Sequence, residues 1–256
     1  YAGTVTLPEG SGKDWVAYCE SMGLVSRQPQ KLGDIIGLEG SNATLMTYYR
    51  NNIQHLFALP ALVVSLFENK SSLRRDKIVF LASVAYPYLQ SELFLKYSQD
   101  EIESVINDWI DVLVDQGLLV TLDDERLSRP EEGTEAMLRA RILSRFIIQT
   151  LERYHIALGI LRKYGSGKLT AAELEEQSTL LAERMSILFG LNAPEFFDKT
   201  LFRNFIANMQ KEGVLTTDDN GRLCYGEGLD EVAEDARLVL SVEKRQAIQQ
   251  VTMLDA

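Results

Sequence analysis

The residues best suited to ligand chemistry lie in one segment, residues 47–68. It opens with a cation, two amides, a phenol and an imidazole, contributed by Tyr49, Arg50, Asn51, Asn52 and His55. In a helix, Arg50, Asn51 and His55 are predicted to share one side, where they could contact a phosphate or another polar ligand. Residues 56–67 form the most apolar run of the chain, so we expect that end of the helix to be buried. Polar residues near a helix start are more commonly capping and surface groups, so the spacing alone favours that interpretation and leaves ligand binding as the alternative.

Acid–base, nucleophilic and metal chemistry have few candidates in this sequence. The only histidines are His55 and His155, and neither begins an H-x-x-x-x-D, in which an Asp orients a His base against a substrate hydroxyl. No G-x-S-x-G nucleophile elbow occurs, and Cys19 and Cys224 have no metal-binding spacing. We therefore predict no catalytic residue, no metal site and no cofactor in this chain.

Composition and charge limit the partners. The chain has 256 residues, is 46% hydrophobic and carries a net charge of −11, so we expect a substantial core and a surface that repels nucleic acid and anionic lipid overall. A phosphate ligand would need a local basic patch. The longest apolar run is about 12 residues, short of the roughly 20 that cross a bilayer. Because the chain begins at Tyr1 rather than Met, we expect it to be part of a longer polypeptide.

Helical periodicity dominates the chain, and short hairpins interrupt it. We predict a mainly α fold with helices over 14–22, from Ser41 or Asn42 onward, and over 72–90, 98–116, 134–164, 170–189, 191 onward, and 230–252. Two short strands are predicted at 24–25 and 34–36. Pro60 lacks an N–H and should kink or restart its helix. Ile78, Phe80, Leu81 and Val84 are predicted on the inner side of theirs.

A helix followed by a hairpin occurs twice. Residues 116–127 (QGLLVTLDDERL) align without gaps to residues 212–223 (EGVLTTDDNGRL), and the preceding helices share their apolar pattern. A helix, a glycine and a two-stranded wing outline a winged-helix unit, so we predict two winged-helix-like copies within a helical domain. The predicted recognition helix, residues 99–116, is acidic and contains no Lys or Arg. Phosphates would be repelled from it, so we read the units as scaffolding or protein contacts and predict no nucleic-acid binding.

Between the copies lies the most basic portion of the chain, residues 134–164. Its apolar stripe is typical either of a helix at a membrane surface or of a core helix whose cations pair with acidic neighbours, and we favour the second. The predicted organisation is a lead-in with a short helix and strands (1–41), a helical part with the first helix-hairpin unit (42–133), and a helical part with the second unit and a C-terminal helix (134–256).

Several strings of this sequence carry a family resemblance in the same order along the chain. The first is Tyr48-Tyr49-Arg50-Asn51-Asn52-x-x-His55-Leu56 with Leu59-Pro60. The others are Gly33-Asp34-Ile35-Ile36, Tyr86-Pro87, Glu92-Leu93-Phe94-Leu95, Gly117-Leu118, residues 191–199 (LNAPEFFDK) and Asp235-x-Arg237-Leu238. Together they resemble the C-terminal region of the bacterial membrane-bound glycerol-3-phosphate 1-O-acyltransferases, corresponding to roughly the last third of such an enzyme.

The resemblance implies a parent enzyme whose active site lies upstream of this region. Members carry H-x-x-x-x-D, an Arg-bearing block and F-x-E-G-x-R-S there, and none of these is present here, so no catalytic residue transfers to this chain. The implied reaction moves a fatty acyl group from acyl carrier protein or coenzyme A to the 1-hydroxyl of glycerol 3-phosphate in phospholipid biosynthesis. The implied location is peripheral, at the cytoplasmic face of the bacterial inner membrane.

The partner expected from the resemblance is the upstream acyltransferase domain of the same polypeptide. We hypothesise that the segment from Tyr49 to His55 packs against that domain, with Arg50 contacting a phosphate or bridging the domains. One alternative is a protein-interaction and stability module without substrate contact. Another is a part of a related dihydroxyacetone-phosphate acyltransferase.

Overall fold

Helices make up most of the described chain. The computed structural model describes residues 9–122, 125–189, 194–226, 229 and 239–253. Backbone contacts divide the chain into unit 1, residues 1–52, and unit 2, residues 53–256. Short antiparallel strands lie between the helices, which confirms the predicted mainly α class with hairpins. The sequence-based boundaries at 41 and 133 stay a prediction.

Unit 1 begins with helix α1 (Gly12–Ser21), followed by the antiparallel strands β1 (Ser26–Gln28) and β2 (Ile35–Gly37). Ser11 and Asp14 form a capping box at the start of α1. The first strand lies two residues later than predicted. The N–H of Leu24 donates to the carbonyl of Cys19 at 3.0 Å, so residue 24 still completes the end of α1 and is not available for a sheet.

Helix α2 (Ser41–Ser65) begins in unit 1 and continues into unit 2. The predicted start at Ser41 is confirmed, because Ser41 is the first helical residue. The Asn42 amide donates to the carbonyl of Gly23 at 2.6 Å. Pro60 does not restart the helix, because α2 runs through it, and the alternative that it kinks α2 stays a prediction. Pro60 and its neighbours from Ala58 to Ser65 are buried, and this packing offsets the missing backbone hydrogen bond.

The first helix-hairpin copy fills residues 72–128 of unit 2. Its elements are β3 (Ser72–Arg74), α3 (Arg75–Leu93), α4 (Ile102–Asp115), β4 (Val120–Thr121) and β5 (Arg126–Ser128). Residues 72–74 were predicted as helix but form a strand, because their backbone pairs with β5 in the sheet order β3-β5-β4. The Glu101 carboxylate accepts hydrogen bonds from the backbone N–H and the hydroxyl of Ser98, and α4 starts at Ile102 rather than at the predicted residue 98. Residues 123–124 of the predicted hairpin lie outside the described residues.

The second copy follows helix α5 (Glu135–Tyr164), whose N-cap is Thr134. Its elements are α6 (Ala171–Phe189), a 3-10 turn (Pro194–Phe197), α7 (Lys199–Lys211), β6 (Thr216–Thr217) and β7 (Leu223–Cys224). Thr170 and Glu173 form a capping box at the start of α6. Helix α8 (Val242–Met253) ends the described chain. The prediction of one helix over 230–252 is wrong at residues 240–241, which are not helical, and residues 230–238 lie outside the described residues.

The two copies match in element order and strand register, which confirms the predicted recurrence of helix and hairpin and extends it upstream. Each position of the first copy recurs 96 positions later, as Gly117 and Gly213 illustrate. Helices α3 and α6 both contain 19 residues. The third strand also recurs as a single bridge. The equivalent backbone pairs are Thr121 with Leu127 and Thr217 with Leu223, and Arg74 with Arg126 and Thr170 with Arg222.

The core of unit 2 uses equivalent positions of both copies. Buried pairs are Ile78 and Leu174, Ala82 and Ser178, Leu89 and Met185, and Ile110 and Ile206. Of the positions predicted on the inner side of α3, Ile78 and Leu81 are buried, whereas Phe80 is 53% exposed. Phe80 follows Ile78 by two residues, which is about 200° of helix rotation, so it points away from the core.

An ion pair lies inside this core. The side chains of Glu92 and Arg153 are only 8% and 4% exposed, and they form a salt bridge. The Glu92 carboxylate also accepts hydrogen bonds from the hydroxyls of Thr150 at 3.1 Å and Tyr154 at 2.9 Å. Buried charges persist in proteins when they are paired in this way. Together with the exposed salt bridge of Arg141 to Glu132, this agrees with the interpretation of α5 as a helix whose cations pair with acidic neighbours.

Candidate functional site

The predicted polar cluster lies in the exposed half of α2. Tyr49 is 50% exposed, Asn51 and Asn52 are exposed, and Arg50 is half-buried, all within unit 1. His55 is also exposed and lies one turn further along α2, in the part that belongs to unit 2. The second half of α2 is buried from residue 58 to residue 65. The expected contrast between one polar, accessible helix end and one buried end is therefore present.

Arg50 and Asn51 are in direct contact within the cluster. The Arg50 Nε and Nη2 atoms donate to Asn51 Oδ1 at 3.2 and 3.0 Å. Asn51 and His55 are four residues apart and so share a side of the helix, whereas Arg50 starts about 100° away and reaches Asn51 through its long side chain. The three residues therefore span a wider arc of the helix than predicted. The Arg50 guanidinium reaches Asn51 by bending over its side-chain amide. A role for the cluster in ligand binding stays a prediction.

The described part of unit 1, residues 9–52, contains no buried residue. Large apolar side chains nevertheless occur throughout it, and those more than a third exposed are Trp15, Tyr18, Met22, Leu32, Ile35, Ile36, Leu38, Leu45, Tyr48 and Tyr49. Tyr18 and Tyr48 are 65% and 64% exposed. We call this set the apolar surface of unit 1. Contiguous patches of such side chains mark interaction surfaces on proteins.

Polar interactions, and not a core, hold the strands of unit 1 to α1. Arg27 in β1 forms salt bridges with Glu20 of α1 and with Asp34, each at 3.1 Å. These carboxylates raise the pKa of the Arg27 guanidinium, with the hydrogen bond to Asp34 contributing most. Exposed ion pairs contribute little stability in water. The described part of unit 1 is therefore held together by exposed ion pairs and hydrogen bonds rather than by buried apolar side chains.

Unit 2 contains an open groove that the sequence analysis missed. It has a volume of about 970 Å³ and is lined by residues of α3, α4 and the first hairpin and by Glu212 and Val214. Arg75 lies at its edge, where Nε donates to Asn107 Oδ1 at 2.8 Å and Nη1 pairs with Asp111 at 2.7 Å. Because its walls come from positions over a hundred residues apart, no local pattern in the sequence indicates it.

Burial shifts the pKa values of three side chains in unit 2. Burial raises the pKa of Tyr88 to about 12 and the pKa of Tyr154 further above its usual value, with the neighbouring Glu92 adding to the second effect. Burial also raises the pKa of the Glu152 carboxyl, and the contact with Lys244 offsets part of that rise. Both phenols are therefore neutral at physiological pH, and that of Tyr154 donates its hydrogen bond to Glu92.

The described residues offer no metal-binding cluster, since no three His, Cys, Asp or Glu side chains come together among them. Cys19 and Cys224 are free thiols. Among the described helices, none combines the length and the hydropathy that a bilayer-spanning segment requires.

Comparison with known proteins identifies the family. A family model described as the glycerol-3-phosphate acyltransferase C-terminal region matches residues 1–218. Proteins named glycerol-3-phosphate acyltransferase from Pseudomonas fluorescens strain Pf-5 and Pseudomonas aeruginosa strain UCBPP-PA14 are each 44% identical over 254 residues, covering 99% of this chain and 30% of theirs. A relative of the same name from Pseudomonas putida strain W619 is also 44% identical and is covered over 31% of its length.

The chain thus spans less than a third of the curated relatives it matches, and the model that covers most of it describes a C-terminal region. The resemblance found in the sequence strings is confirmed over nearly the whole chain. This chain belongs to the family of glycerol-3-phosphate acyltransferase C-terminal regions.

Proposed function

We propose that this chain is the non-catalytic C-terminal region of an enzyme that transfers an acyl group from acyl carrier protein or coenzyme A to sn-glycerol 3-phosphate. The family match over residues 1–218 is the observation that carries the proposal. The sequence supplies only two histidines and none of the family's upstream catalytic blocks. The region therefore supports catalysis that takes place in the upstream acyltransferase domain.

The support is a docking contact made by unit 1. Its exposed apolar side chains have no core of their own among residues 9–52, and the relatives contain more than twice as much chain beyond the part matched here. Burying such side chains against a second domain contributes roughly 1.5–3 kcal/mol per large residue. Arg50, with Tyr49, Asn51, Asn52 and His55 beside it, provides the polar component, either as a bridge to the upstream domain or as a contact to the substrate phosphate.

The enzyme acts in phospholipid biosynthesis at the cytoplasmic face of the bacterial inner membrane, where it is bound peripherally. The two helix-hairpin copies are winged-helix-like units used as scaffold rather than as DNA readers. The first recognition-helix equivalent, α4, carries acidic residues on its exposed side, such as Glu103 and Asp111, and phosphates are repelled from such a surface.

The test uses a chimera of the Pseudomonas aeruginosa relative, in which this chain replaces the matching C-terminal region. Acyl transfer from acyl-CoA to radiolabelled glycerol 3-phosphate is measured for the chimera, for the relative truncated before that region, and for this chain alone. We expect activity in the chimera and none in the chain alone. An inactive truncated form that regains activity when this chain is added as a separate polypeptide would demonstrate the docking contact directly.

A second candidate function is a protein-interaction and stability module without substrate contact. The duplication in residues 72–128 and 168–224 favours it, because the two copies repeat one arrangement of helices and hairpin and contribute equivalent positions to one core. In that case the truncated relative would keep the KM for glycerol 3-phosphate and lose only protein yield or membrane recovery. A changed KM in the truncated form would favour the docking function instead.

A further inference from the structure

A groove between the second half of α5 and α8 has a charge opposite to that of the chain. It has a volume of about 680 Å³ and contains the basic side chains of His155, Arg162, Lys163 and Arg245. No Asp or Glu is among the described residues that line it. Because the whole chain carries a net charge of −11, this is the local basic patch that an anion needs in order to bind here.

Arg245 provides an unused donor at the wall of the groove. Its Nε atom is buried and has no acceptor among the residues that the structure describes. A buried N–H without a hydrogen-bond partner costs roughly a lost hydrogen bond, so such atoms call for an explanation such as an absent ion. The nearest carboxylate in sequence is Glu243, which does not line the groove. Hydrogen bonds from its own backbone and from Ser241 lower its pKa, and the charge of Arg245 adds to this effect.

Lys163 also lines the groove, and it forms no salt bridge among the contacts of the described residues. Its Nζ atom donates to the backbone carbonyl of Thr252 at 2.5 Å, and this contact ties the end of α5 to the end of α8. The side-chain amides of Gln246 and Gln249 on α8 add neutral donors to the same wall. The groove therefore combines fixed cations with amide donors, which is the chemistry of a phosphate site.

We propose that the groove between α5 and α8 binds a phosphate group, either of a soluble phosphoester or of a phospholipid head. Arg245 supplies the central donor and Arg162 and Lys163 supply flanking charge. The volume lies within the usual range for small-ligand sites. The proposal goes beyond the acyl-transfer function, because it concerns a groove of this chain and not the upstream active site.

The test titrates the purified chain with inorganic phosphate at constant ionic strength and follows amide shifts by NMR. We expect saturable shifts confined to the second half of α5 and to α8. Arg245→Gln should weaken binding about tenfold, as expected for the loss of one charge-assisted hydrogen bond. Gln249→Glu keeps every cation and adds a negative charge to the wall, so it should weaken binding as well. Thermal melts without phosphate check that both variants are folded.

Arg139→Gln is the matched control, because it removes one exposed positive charge from α5 outside the groove. It should leave the phosphate affinity unchanged. Equal weakening by Arg139→Gln and Arg245→Gln would overturn the site in favour of general charge attraction. Absence of localised shifts at saturating phosphate concentrations would overturn it as well.

Two further arms distinguish the source of the phosphate. In the first, glycerol phosphate competes with inorganic phosphate in the NMR titration. In the second, the chain is floated with vesicles of phosphatidylglycerol and phosphatidylcholine, and with phosphatidylcholine alone as the control. Flotation that requires phosphatidylglycerol and is lost in Arg245→Gln but kept in Arg139→Gln identifies a lipid head. Phosphate binding without flotation identifies a soluble phosphoester.

Discussion

Gly117 and Gly213 adopt the same left-handed backbone conformation at the ends of two equivalent helices, with φ of +69° and +74°. In both copies the backbone N–H groups of the two residues after the glycine donate to the same helical carbonyl. The acceptor is Leu113 in the first copy and Met209 in the second. The hairpins therefore leave their helices in the same direction. This agreement is the local reason that both copies share one strand register.

Replacing either glycine by alanine should lower the free energy of unfolding by roughly 1–2 kcal/mol, because a Cβ disfavours positive φ. No heavy atom lies within 4 Å of the position where the Cβ would be built at either site, so the cost is conformational and not steric. Gly159→Ala in the interior of α5 is the control and should raise stability by roughly 0.5–1 kcal/mol. Urea denaturation measures all three. If Gly117→Ala were as stable as the parent chain, the left-handed helix end would not matter.

The buried ion pair of Glu92 and Arg153 predicts a strongly destabilised single variant. Arg153→Met leaves the Glu92 carboxylate in the core without its cation, and we expect a loss of about 3–5 kcal/mol. The double variant Glu92→Leu, Arg153→Met should recover part of that loss, because no unpaired charge remains. Recovery should be incomplete, since the hydroxyls of Thr150 and Tyr154 lose their acceptor. Additive losses in a double-mutant cycle would contradict the pairing.

Glu152 predicts a stability difference that depends on pH. Burial raises its pKa above the usual 4.5, although Lys244 offsets part of the rise. The folded state therefore holds this proton more tightly than the unfolded state, so the contribution to stability is full below about pH 4.5 and is lost as the pH rises through the folded pKa. Glu152→Gln should be at least as stable as the parent chain at pH 7, by up to about 1 kcal/mol.

The comparison of the two chains at a series of pH values checks this sign. Their unfolding midpoints should converge towards pH 4 and separate towards pH 7. Glu176→Gln, at an exposed position of α6, is the control and should show no such trend. A Glu152→Gln variant that is much less stable at pH 7 would mean that the salt bridge with Lys244 outweighs the burial of the carboxylate.

Much of the fold follows from local patterns in the sequence. The helix-spaced apolar positions of α4 and the glycine after it predicted the first helix and hairpin, and Thr134 and Thr170 marked the starts of α5 and α6. The sequence-based predictions are wrong where pairing between distant segments of the chain decides the secondary structure. Residues 72–74 look helical on their own, yet β5, more than fifty residues later, draws them into a sheet.

The polar cluster on α2 was predictable from the sequence, whereas the groove between α5 and α8 was not. The polar cluster on α2 is contiguous, so its exposure next to a buried run could be inferred from one segment. The groove between α5 and α8 joins residues that are more than eighty positions apart, such as Arg162 and Arg245. The sequence marked α5 as basic but gave no indication that α8 would complete a cavity with it.

Arg50 tests the docking role of the polar cluster. In the chimera with the Pseudomonas aeruginosa relative, Arg50→Ala should raise the KM for glycerol 3-phosphate several-fold or lower the melting temperature, depending on whether the guanidinium contacts the substrate or bridges the domains. Arg139→Ala on α5 is the charge-matched control and should change neither. Unchanged kinetics together with an unchanged melting temperature in Arg50→Ala would remove Arg50 from the docking contact.

The apolar surface of unit 1 predicts that the same substitutions change the melting temperature of the chimera but not that of the isolated chain. Tyr18→Ser and Tyr48→Ser should leave the melting temperature of the isolated chain nearly unchanged, because both side chains are about two-thirds exposed there. In the chimera each should lower it by a few degrees, as expected for lost burial of about 1–2 kcal/mol. Equal effects in both proteins would show that these side chains contact nothing outside this chain.

The most direct measurement is acyl transfer by this chain in isolation and within the chimera. Acyl-CoA and radiolabelled glycerol 3-phosphate are supplied to both, and lysophosphatidate is quantified. Product should form only with the chimera, because the isolated chain lacks the family's catalytic blocks. Steady product formation by the isolated chain would contradict a supporting, non-catalytic role.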